Sequence, residues 1–405
     1  MRKILSAVGV LFMCAGVLWA EGYQVNLQSN RQTGMGHTGT GLNLGASSIH
    51  FNPGALAMMK QNFEVSGGMS AIVLKNTFQK QNGLYQSTTD NPISTPFYGY
   101  VAGRVTDKLV IGLGVTTPFG NTLNWGNDWD GRFLVQEISL KAIYVQPTVS
   151  YKLTDAISIG AGFVAAYGDV SLKKAINFED AAGEGQAHLT GSTIAYGYNA
   201  GVFVQATSDL SVGVSFRSTV NMTMDEGEAT FRAPASLSGQ LINTAFQSEM
   251  PMPGSLTLGT GWQVTDNLLI TADLQYVLWA QYEELAFDFE AATVPDSKSV
   301  RNFNNTFVYR LGAEYNASEW LTARVGFTYD STPISDGYLT PETPGANKIN
   351  LTAGATFRLS ERLTADVSFL YIEALERQGG DDATQFYGKY KSAAFIPGFG
   401  LNYSF

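Results

Sequence analysis

The chain has 405 residues, of which 15% are charged, 12% are aromatic and 43 are glycine. A typical soluble protein has about 25% charged residues, so this chain has too few to cover a soluble surface of its size. Its formal net charge of -10 argues against nucleic-acid partners, which require basic patches.

Residues 1–20 have the layout of a secretory signal peptide. They begin with the basic pair Arg2-Lys3, continue as an apolar run over 4–19 and end in the small residue Ala20. The single cysteine, Cys14, lies in the apolar run, and the residues before it are not the small ones that precede a lipidated cysteine. This favours a plain signal peptide over a lipoprotein signal. An exported chain without Cys14 has no thiol for disulfides or thiolate metal sites.

The segment 21–61 differs from both the leader and the rest of the chain, because it is rich in glycine and ends in a compact apolar stretch. We predict that it is a plug, or hatch, inside a barrel made by residues 62–405. The plug residues singled out are Gly34, Gly36, Gly39, Phe51, Asn52, Pro53 and Gly54.

The same segment contains a GxGxxG match from Gly34 to Gly39, the nucleotide-binding fingerprint. That fingerprint should follow a buried strand and open a helix. Here it follows polar residues and precedes more glycine, so plug backbone is favoured.

Beyond Asn62, apolar residues alternate with polar or small residues, which is typical of strands with a different environment on each face. The alternation is strict from Ile349 to Ser360. After the leader no apolar run is long enough for a membrane-spanning helix. Two interpretations remain at this point, a secreted β protein and an outer-membrane β-barrel.

The connections between predicted strands favour the barrel, because short and long ones alternate. The six short connections are 106–108, 154–156, 207–209, 265–267, 316–319 and 360–362; the seven long ones are 76–94, 118–136, 174–190, 225–253, 290–303, 332–347 and 376–390. These connections join 14 strands in all. An even strand number with tight turns on one side and long loops on the other is typical of bacterial outer-membrane barrels. We therefore predict an all-β membrane protein, a 14-stranded antiparallel transmembrane β-barrel.

Aromatic residues near strand ends and at the C-terminus agree with this prediction. The chain ends in Phe405, which is similar to the terminal signal read by the outer-membrane insertion machinery. We expect a monomer in the bacterial outer membrane, in contact with its lipid and lipopolysaccharide.

Several motifs resemble one family along nearly the whole mature chain. They are Phe51-Asn52-Pro53-Gly54-Ala55, Gly112-Leu113-Gly114-Val115, Trp129-Asp130-Gly131-Arg132-Phe133, Pro147-Thr148-Val149-Ser150-Tyr151, Tyr309-Arg310-Leu311-Gly312 and Asp330-Ser331-Thr332-Pro333. The chain resembles the FadL family of outer-membrane transporters for long-chain fatty acids and other hydrophobic compounds. Gly54 departs from the alanine usual in that family.

The resemblance implies passive transport in three stages. Ligands are captured by a groove in the long loops, enter a lumenal pocket, and leave sideways where the third strand kinks. Candidate groove residues in the fourth long loop are Phe231, Leu237, Leu241, Ile242, Phe246, Met250 and Met252. Candidate anchors for a ligand carboxylate are Lys173, Lys174 and Arg310, and the candidate kink lies at Gly112 and Gly114.

No catalytic, cofactor or metal site is expected. His37, His50 and His188 lack HExxH spacing, the loop aspartates lack EF-hand spacing, and no GxSxG motif occurs. Three alternatives to fatty-acid transport remain: a carrier of aromatic hydrocarbons or another apolar nutrient, a structural or adhesive barrel, and a hydrophilic porin.

Overall fold

A computed structural model describes residues 22–81, 83–178, 183–234 and 242–405. None of the helices in these ranges is long and apolar enough to cross a membrane. The described chain is dominated by antiparallel strands, numbered β1 to β20 in chain order.

The strand bounds are β1 Phe63–Ser70, β2 Val73–Lys80, β3 Gln86–Thr88, β4 Phe97–Arg104, β5 Leu109–Asn124, β6 Glu137–Lys152, β7 Ile157–Asn177, β8 Glu184–Gln205, β9 Leu210–Arg217, β10 Val220–Arg232, β11 Thr244–Met252, β12 Ser255–Thr265, β13 Leu268–Val277, β14 Glu284–Phe289, β15 Ser297–Val300, β16 Thr306–Asn316, β17 Leu321–Asp330, β18 Lys348–Arg358, β19 Leu363–Asp381 and β20 Phe386–Ser404. The short helices are Asn30–Thr33, Gly45–Ser47, Ser48–Phe51, Pro53–Met58 and Trp279–Gln281.

A closed ring of 14 strands forms the barrel, as predicted. The ring runs β1, β4, β5, β6, β7, β8, β9, β12, β13, β16, β17, β18, β19 and β20, each paired with the next. The seam closes through β1 and β20, which pair from Glu64–Ser404 to Ser70–Gly398. Closure leaves no open sheet edge, which in lipid would expose unpaired backbone groups costing several kcal/mol each.

The remaining strands extend the wall beyond the ring at the end that carries the long connections. They are β2 and β3, β10 and β11, and β14 and β15. For example, β10 pairs with both β8 and β11, so the sheet continues above the β8–β9 hairpin. Long predicted loops are therefore partly extensions of the barrel wall.

The side-chain alternation places apolar residues outside and polar residues inside. Val325 and Leu351 are 60% and 53% exposed on the outer face, while Arg324 and Asp366 are 5% and 2% exposed. A soluble sandwich would show the opposite arrangement. The outer face is therefore the lipid face, and the interior is the polar side.

The N-terminal segment, residues 22–60, packs against inward-facing residues all around the ring. The Asp273 carboxylate accepts hydrogen bonds from the Gly39 and Thr40 amides, both at 3.0 Å. A Cβ on Gly34 would lie 2.8 Å from the Gly354 Cα, so only glycine permits this approach. Gly36 has φ +64, a conformation that glycine adopts without cost.

The connection between β17 and β18, residues 331–347, folds back into the mouth of the barrel and is called the inner loop. Ile334 and Leu339 are almost completely buried. The Arg301 guanidinium lies 2.5 Å from the Glu342 carboxylate and donates to the Thr340 hydroxyl at 3.0 Å. The inner loop therefore covers the interior at the long-loop end.

Candidate functional site

The barrel interior at the long-loop end holds a large cluster of buried apolar side chains, called the apolar cluster. It contains residues from the wall extensions, the inner loop and the N-terminal segment. Members include Tyr23, Phe119, Trp125, Trp129, Leu140, Tyr144, Val220, Met222, Phe246, Met250, Met252, Trp279, Tyr282, Leu285, Phe287, Phe303, Ile334 and Leu339. In the lumen of a barrel, such a cluster provides an environment for a hydrophobic ligand.

The start of the N-terminal segment lies inside this cluster. The Tyr23 ring is 5.0 Å from the Trp279 ring in an edge-to-face arrangement, and its hydroxyl donates to the Pro251 carbonyl. The adjacent backbone pairs with β5, since the Val25 amide donates to the Pro118 carbonyl at 2.8 Å. The segment therefore occupies part of the space that a ligand in the cluster would use.

A small polar cavity, called the arginine chamber, lies between the N-terminal segment and the wall. Its volume is about 40 Å³, and Phe119 and Phe51 line it together with Arg217 and Arg310. Because Phe119 also belongs to the apolar cluster, the chamber adjoins that cluster.

The two chamber arginines are held by neutral groups. Arg310 donates to the Gln275 amide oxygen at 2.6 Å, and Arg217 donates to the Gln146 amide oxygen at 3.1 Å. Neither guanidinium forms a salt bridge with any carboxylate of the described residues. Asp273 lies opposite Arg310 on the paired strand, so the chamber cation without a nearby carboxylate among the described residues is Arg217. A buried cation of this kind is costly, so an anionic group entering the chamber beside it would be stabilised.

Two histidines of the N-terminal segment complete the chamber without adding charge. Burial, and then the nearby Arg310, lower the pKa of His37 to about 3. Burial, and then Arg217 and Arg310, lower the pKa of His50 well below its ordinary value. The positive charge of the chamber therefore comes from its arginines.

The lipid face carries an apolar groove of about 840 Å³ on β4 to β7. It is lined on the outside by Val101, Ile111, Leu113, Pro147, Val149 and Phe163. The wall beneath it is thin, since Gly112 and Gly162 lie at its base. A Cβ on Gly112 would meet the Ile49 side chain of the N-terminal segment at 2.6 Å, so that segment lies directly behind the wall.

The seam between β6 and β7 is interrupted beside this groove. Ladder pairs are present at Val145–Ala165 and again at Thr148–Gly162, with none between them. Pro147 lies in this gap and has no N–H to donate to a ladder. The interruption therefore follows directly from the sequence of β6.

The third ring strand, β5, has an irregular register, but at a point later in the strand than Gly112 and Gly114, where the kink was predicted. Gly112 and Gly114 keep ladder partners on both β4 and β6. The register shifts instead between Thr116 and Phe119. Pro118 lies inside that interval, and its missing N–H explains why the ladder breaks there.

The predicted carboxylate anchors lie in different places. Arg310 faces the arginine chamber. Lys173 lies on the outer side of β7 and forms a 2.7 Å ion pair with Glu137, which leaves it paired and away from the lumen. Lys174 is half-buried opposite Ala187. Arg217 was not among the predicted anchors, although it ends an alternating strand at the chamber.

The residues predicted to form the loop groove also lie in different places. Phe246, Met250 and Met252 belong to the apolar cluster, and Phe231 packs against it. Ile242 is 48% exposed. Leu237 and Leu241 lie outside the described residues. The described residues thus place most of these candidates on the inner face of the wall extension.

The predicted plug residues contact one another and the wall. Asn52 accepts from the Gly54 amide and donates to the carbonyls of Thr40 and Val202 at 2.8 and 3.0 Å. Gly54 packs so closely on the wall that a Cβ would lie 2.6 Å from the Gly201 carbonyl oxygen. These contacts join the end of the segment to β8.

The fold and interior together define a class, an outer-membrane β-barrel whose lumen connects an apolar cluster with a charged chamber. The family model described as "Outer membrane protein transport protein (OMPP1/FadL/TodX)" matches residues 11–405. The chain belongs to this family, as its motifs predicted, and is a protein of the bacterial outer membrane.

Three known proteins illustrate the similarity. A "Long-chain fatty acid transport protein" of Escherichia coli O6:H1 is 22% identical over 433 residues, covering 96% of this chain and 95% of the relative. A FadL homologue of Pseudomonas aeruginosa has a TM-score of 0.85 at 15% identity, covering 95% and 100% of the two chains. The toluene transporter TbuX of Ralstonia pickettii has a TM-score of 0.73 at 18% identity, covering 92% and 97%. The two structural similarities concern the fold.

Proposed function

We propose that this protein carries hydrophobic molecules passively across the outer membrane, with long-chain fatty acids as the leading ligand. The observation that supports this choice is the arginine chamber. Arg217 and Arg310 form no salt bridge with a described carboxylate and adjoin the apolar cluster. A fatty acid matches this combination, because its alkyl chain suits the cluster and its carboxylate suits the guanidinium groups. The E. coli relative is named as a long-chain fatty acid transport protein.

Residues 21–61 act as a plug in this proposal, after removal of residues 1–20 as a signal peptide. The plug is supported by the many contacts between the N-terminal segment and the wall, such as those of Asp273 with the amides of Gly39 and Thr40. It closes the water-filled path while the ligand moves around it. Transport then needs no removal of the plug from the barrel.

The ligand leaves sideways into the membrane at the groove on β4 to β7. The thin wall at Gly112 and Gly162 and the interrupted β6–β7 seam at Pro147 support this exit. A gap in the pairing lowers the cost of separating two strands, since fewer ladder bonds must break. Ile49 lies behind Gly112 and blocks this passage in the present state.

An aromatic hydrocarbon is the second candidate ligand, and the groove favours it. None of the described residues that line the groove is charged, so a neutral molecule could cross the wall without losing a polar partner. The structurally similar protein of Ralstonia pickettii is a toluene transporter. We propose no catalytic activity, and we expect a monomer inserted through recognition of Phe405.

The test compares two ligands in one set of variants. Cells carrying Arg217→Gln with Arg310→Gln are grown on oleate and, separately, on toluene, with Arg358→Gln as a control because Arg358 is exposed at the far end of β18. We expect oleate uptake to fall about tenfold or more, which corresponds to loss of one charge-assisted hydrogen bond, while the control is unaffected. Toluene uptake that requires the protein but is unaffected by the arginine substitutions, together with no protein-dependent uptake of oleate, would favour the second candidate. Uptake of both ligands that is the same in cells with and without the protein would refute the transport proposal.

A further inference from the structure

The side chain of Tyr144 lies at the border between the apolar cluster and the arginine chamber. Tyr144 is an inward-facing residue of β6, is 1% exposed and belongs to the apolar cluster. Its ring centroid is 5.9 Å from that of Phe119, which belongs to the cluster and also lines the chamber. A ligand that extends from the cluster into the chamber would therefore lie beside Tyr144.

The same border is next to Arg217. Gln146, which accepts a hydrogen bond from Arg217 at 3.1 Å, follows Tyr144 on the inner face of β6. Residues two apart in a strand lie on the same face with a rise of about 7 Å between them. Tyr144 and Arg217 also interact electrostatically. The Tyr144 hydroxyl and the Arg217 guanidinium are therefore neighbours inside the barrel.

The Tyr144 hydroxyl makes no hydrogen bond with any described residue, although it is buried. Other inward-facing tyrosines do have partners. Tyr23 donates to the Pro251 carbonyl, and Tyr100 donates to the Gln28 carbonyl at 2.8 Å. A buried donor without an acceptor is destabilising and requires an explanation in a folded protein. An acceptor that arrives with a ligand would remove this cost.

An acceptor at this place would also meet the charge of Arg217. Arg217 is the chamber arginine without a nearby carboxylate among the described residues, whereas Asp273 lies opposite Arg310. The chamber volume of about 40 Å³ exceeds the roughly 10–15 Å³ that one water needs, so it admits a group of a few atoms. A carboxylate meets these conditions, because it is small, carries negative charge and accepts hydrogen bonds from several donors at once.

We propose that Tyr144 is a ligand-binding residue, which donates its hydroxyl hydrogen to the ligand carboxylate that pairs with Arg217. The alkyl chain of the ligand then lies in the apolar cluster, and its head group lies at the Arg217 end of the chamber rather than beside Arg310. This inference rests on the proposed function, since it needs a carboxylate ligand. Selectivity for acids over neutral hydrocarbons then depends on a tyrosine as well as on an arginine.

The test measures the binding of two ligands by quenching of tryptophan fluorescence. The folded protein is placed in lipid nanodiscs at about pH 9, where a carboxylic acid is ionised. The lipid-facing Trp262 and Trp320, which are 53% and 58% exposed, are replaced by phenylalanine. Trp125, Trp129 and Trp279 of the apolar cluster then report ligand entry. The probes are ω-bromododecanoate and 1-bromododecane, which share one chain and differ in the carboxylate.

Tyr144→Phe should weaken equilibrium binding of ω-bromododecanoate about tenfold, through loss of one charge-assisted hydrogen bond, and leave binding of 1-bromododecane unchanged. Tyr390→Phe is the matched control. Tyr390 is also a 1% exposed member of the apolar cluster whose hydroxyl makes no hydrogen bond with a described residue. It packs on Phe78 instead, and its charged neighbours are Asp381 and Glu342. The control should change the binding of neither probe.

Two further measurements separate ligand binding from a structural role. Because the Tyr144 hydroxyl has no partner among the described residues, Tyr144→Phe should leave the free energy of unfolding without ligand equal to that of the parent or higher. Urea titrations of the lipid-inserted barrel measure this quantity. Tyr144→Phe and Arg217→Gln should be less than additive in their effects on ω-bromododecanoate binding, since both groups contact one carboxylate.

Several results would overturn the role of Tyr144 and leave the proposed function intact. They are unchanged affinity for ω-bromododecanoate in Tyr144→Phe, an equal loss of affinity in Tyr390→Phe, and a lower free energy of unfolding with weaker binding of both probes. Equal affinity of the parent protein for the two probes would instead refute the choice of a fatty acid as the ligand. Absence of quenching by both probes in the folded parent would refute hydrophobic transport as well.

Discussion

The inner loop is held over the interior by a buried ion pair whose loss should open it. Arg301 and Glu342 have side chains that are 2% and 15% exposed. Burial opposes the charge of Arg301, but Glu342 and Tyr282 outweigh it and keep the pKa of Arg301 above its ordinary value. Glu342→Gln would leave a buried guanidinium without its counter-ion. Such single-partner removals cost about 3–5 kcal/mol.

This cost should appear as local opening of residues 331–347, because the ion pair with Arg301 joins this loop to the segment before β16. The loop also has other contacts that limit the opening. These include the 2.8 Å ion pair of Arg377 with Asp336, the Trp125 indole donating to the Pro341 carbonyl and Arg377 donating to the Gly345 carbonyl, the last two both at 3.0 Å. About 3 kcal/mol corresponds to roughly a hundredfold rise in the open population. Hydrogen exchange measured by mass spectrometry should therefore show at least tenfold faster exchange of inner-loop amides in Glu342→Gln.

The control replaces both partners by an apolar residue of similar length. Arg301→Met with Glu342→Met leaves no unpaired charge and should keep exchange close to that of the parent, since apolar substitution of a buried pair is often neutral or stabilising. Unchanged exchange in Glu342→Gln, or equally fast exchange in the double methionine variant, would show that the ion pair does not hold the loop.

Three further predictions concern the N-terminal segment. Asp273→Ala removes the acceptor of two backbone amides, so we expect single-channel conductance in planar bilayers to rise, and conductance equal to the parent would contradict this. Gly36→Val forces a β-branched residue into φ +64 and puts its Cβ 2.5 Å from the Leu311 carbonyl oxygen. It should therefore lower the yield of heat-modifiable folded barrel, and a normal yield would rule out this packing. The pKa of His37 is about 3 in the folded protein and about 6.5 in the unfolded chain. Because only the unfolded chain takes up this proton as pH falls from 6.5 toward 3, the free energy of unfolding should fall by about 1.4 kcal/mol per pH unit in that range. In urea titrations of the lipid-inserted protein, His37→Gln should reduce this slope, and an identical slope would refute it.

The ring of strands was predictable because two simple signals repeat along the chain. Alternation of side chains marks the strands, and alternating connection lengths give an even number with defined sides. Val325 and Arg324 alone could not show which of the two side chains points into the barrel, because a sheet has no interior until it closes. Closure depends on pairing between β1 and β20, which are far apart in sequence.

The candidate site was less predictable, because the long connections lack the alternation that shows which side chains point into the barrel. Lys173 has the residue type expected of a carboxylate anchor, yet the extended β6–β7 sheet turns it outward toward Glu137. The glycines at 112 and 114 suggested a kink, but their small size instead admits Ile49 of the N-terminal segment. Proline positions were the stronger signal, since Pro118 and Pro147 each coincide with a break in a ladder.

The contacts of the N-terminal segment also constrain how the protein is assembled. The segment directly precedes β1, which is one partner of the closing seam, and it contacts Asp273 on β13, Gly354 on β18 and Gly201 on β8. Because these strands are synthesised later, the segment has no complete set of partners until nearly the whole chain is available. Once β1 and β20 have joined, a folded segment has no free edge through which to enter. We therefore expect the barrel to close around the segment, so mutations that unfold the segment should delay closure of the seam during insertion.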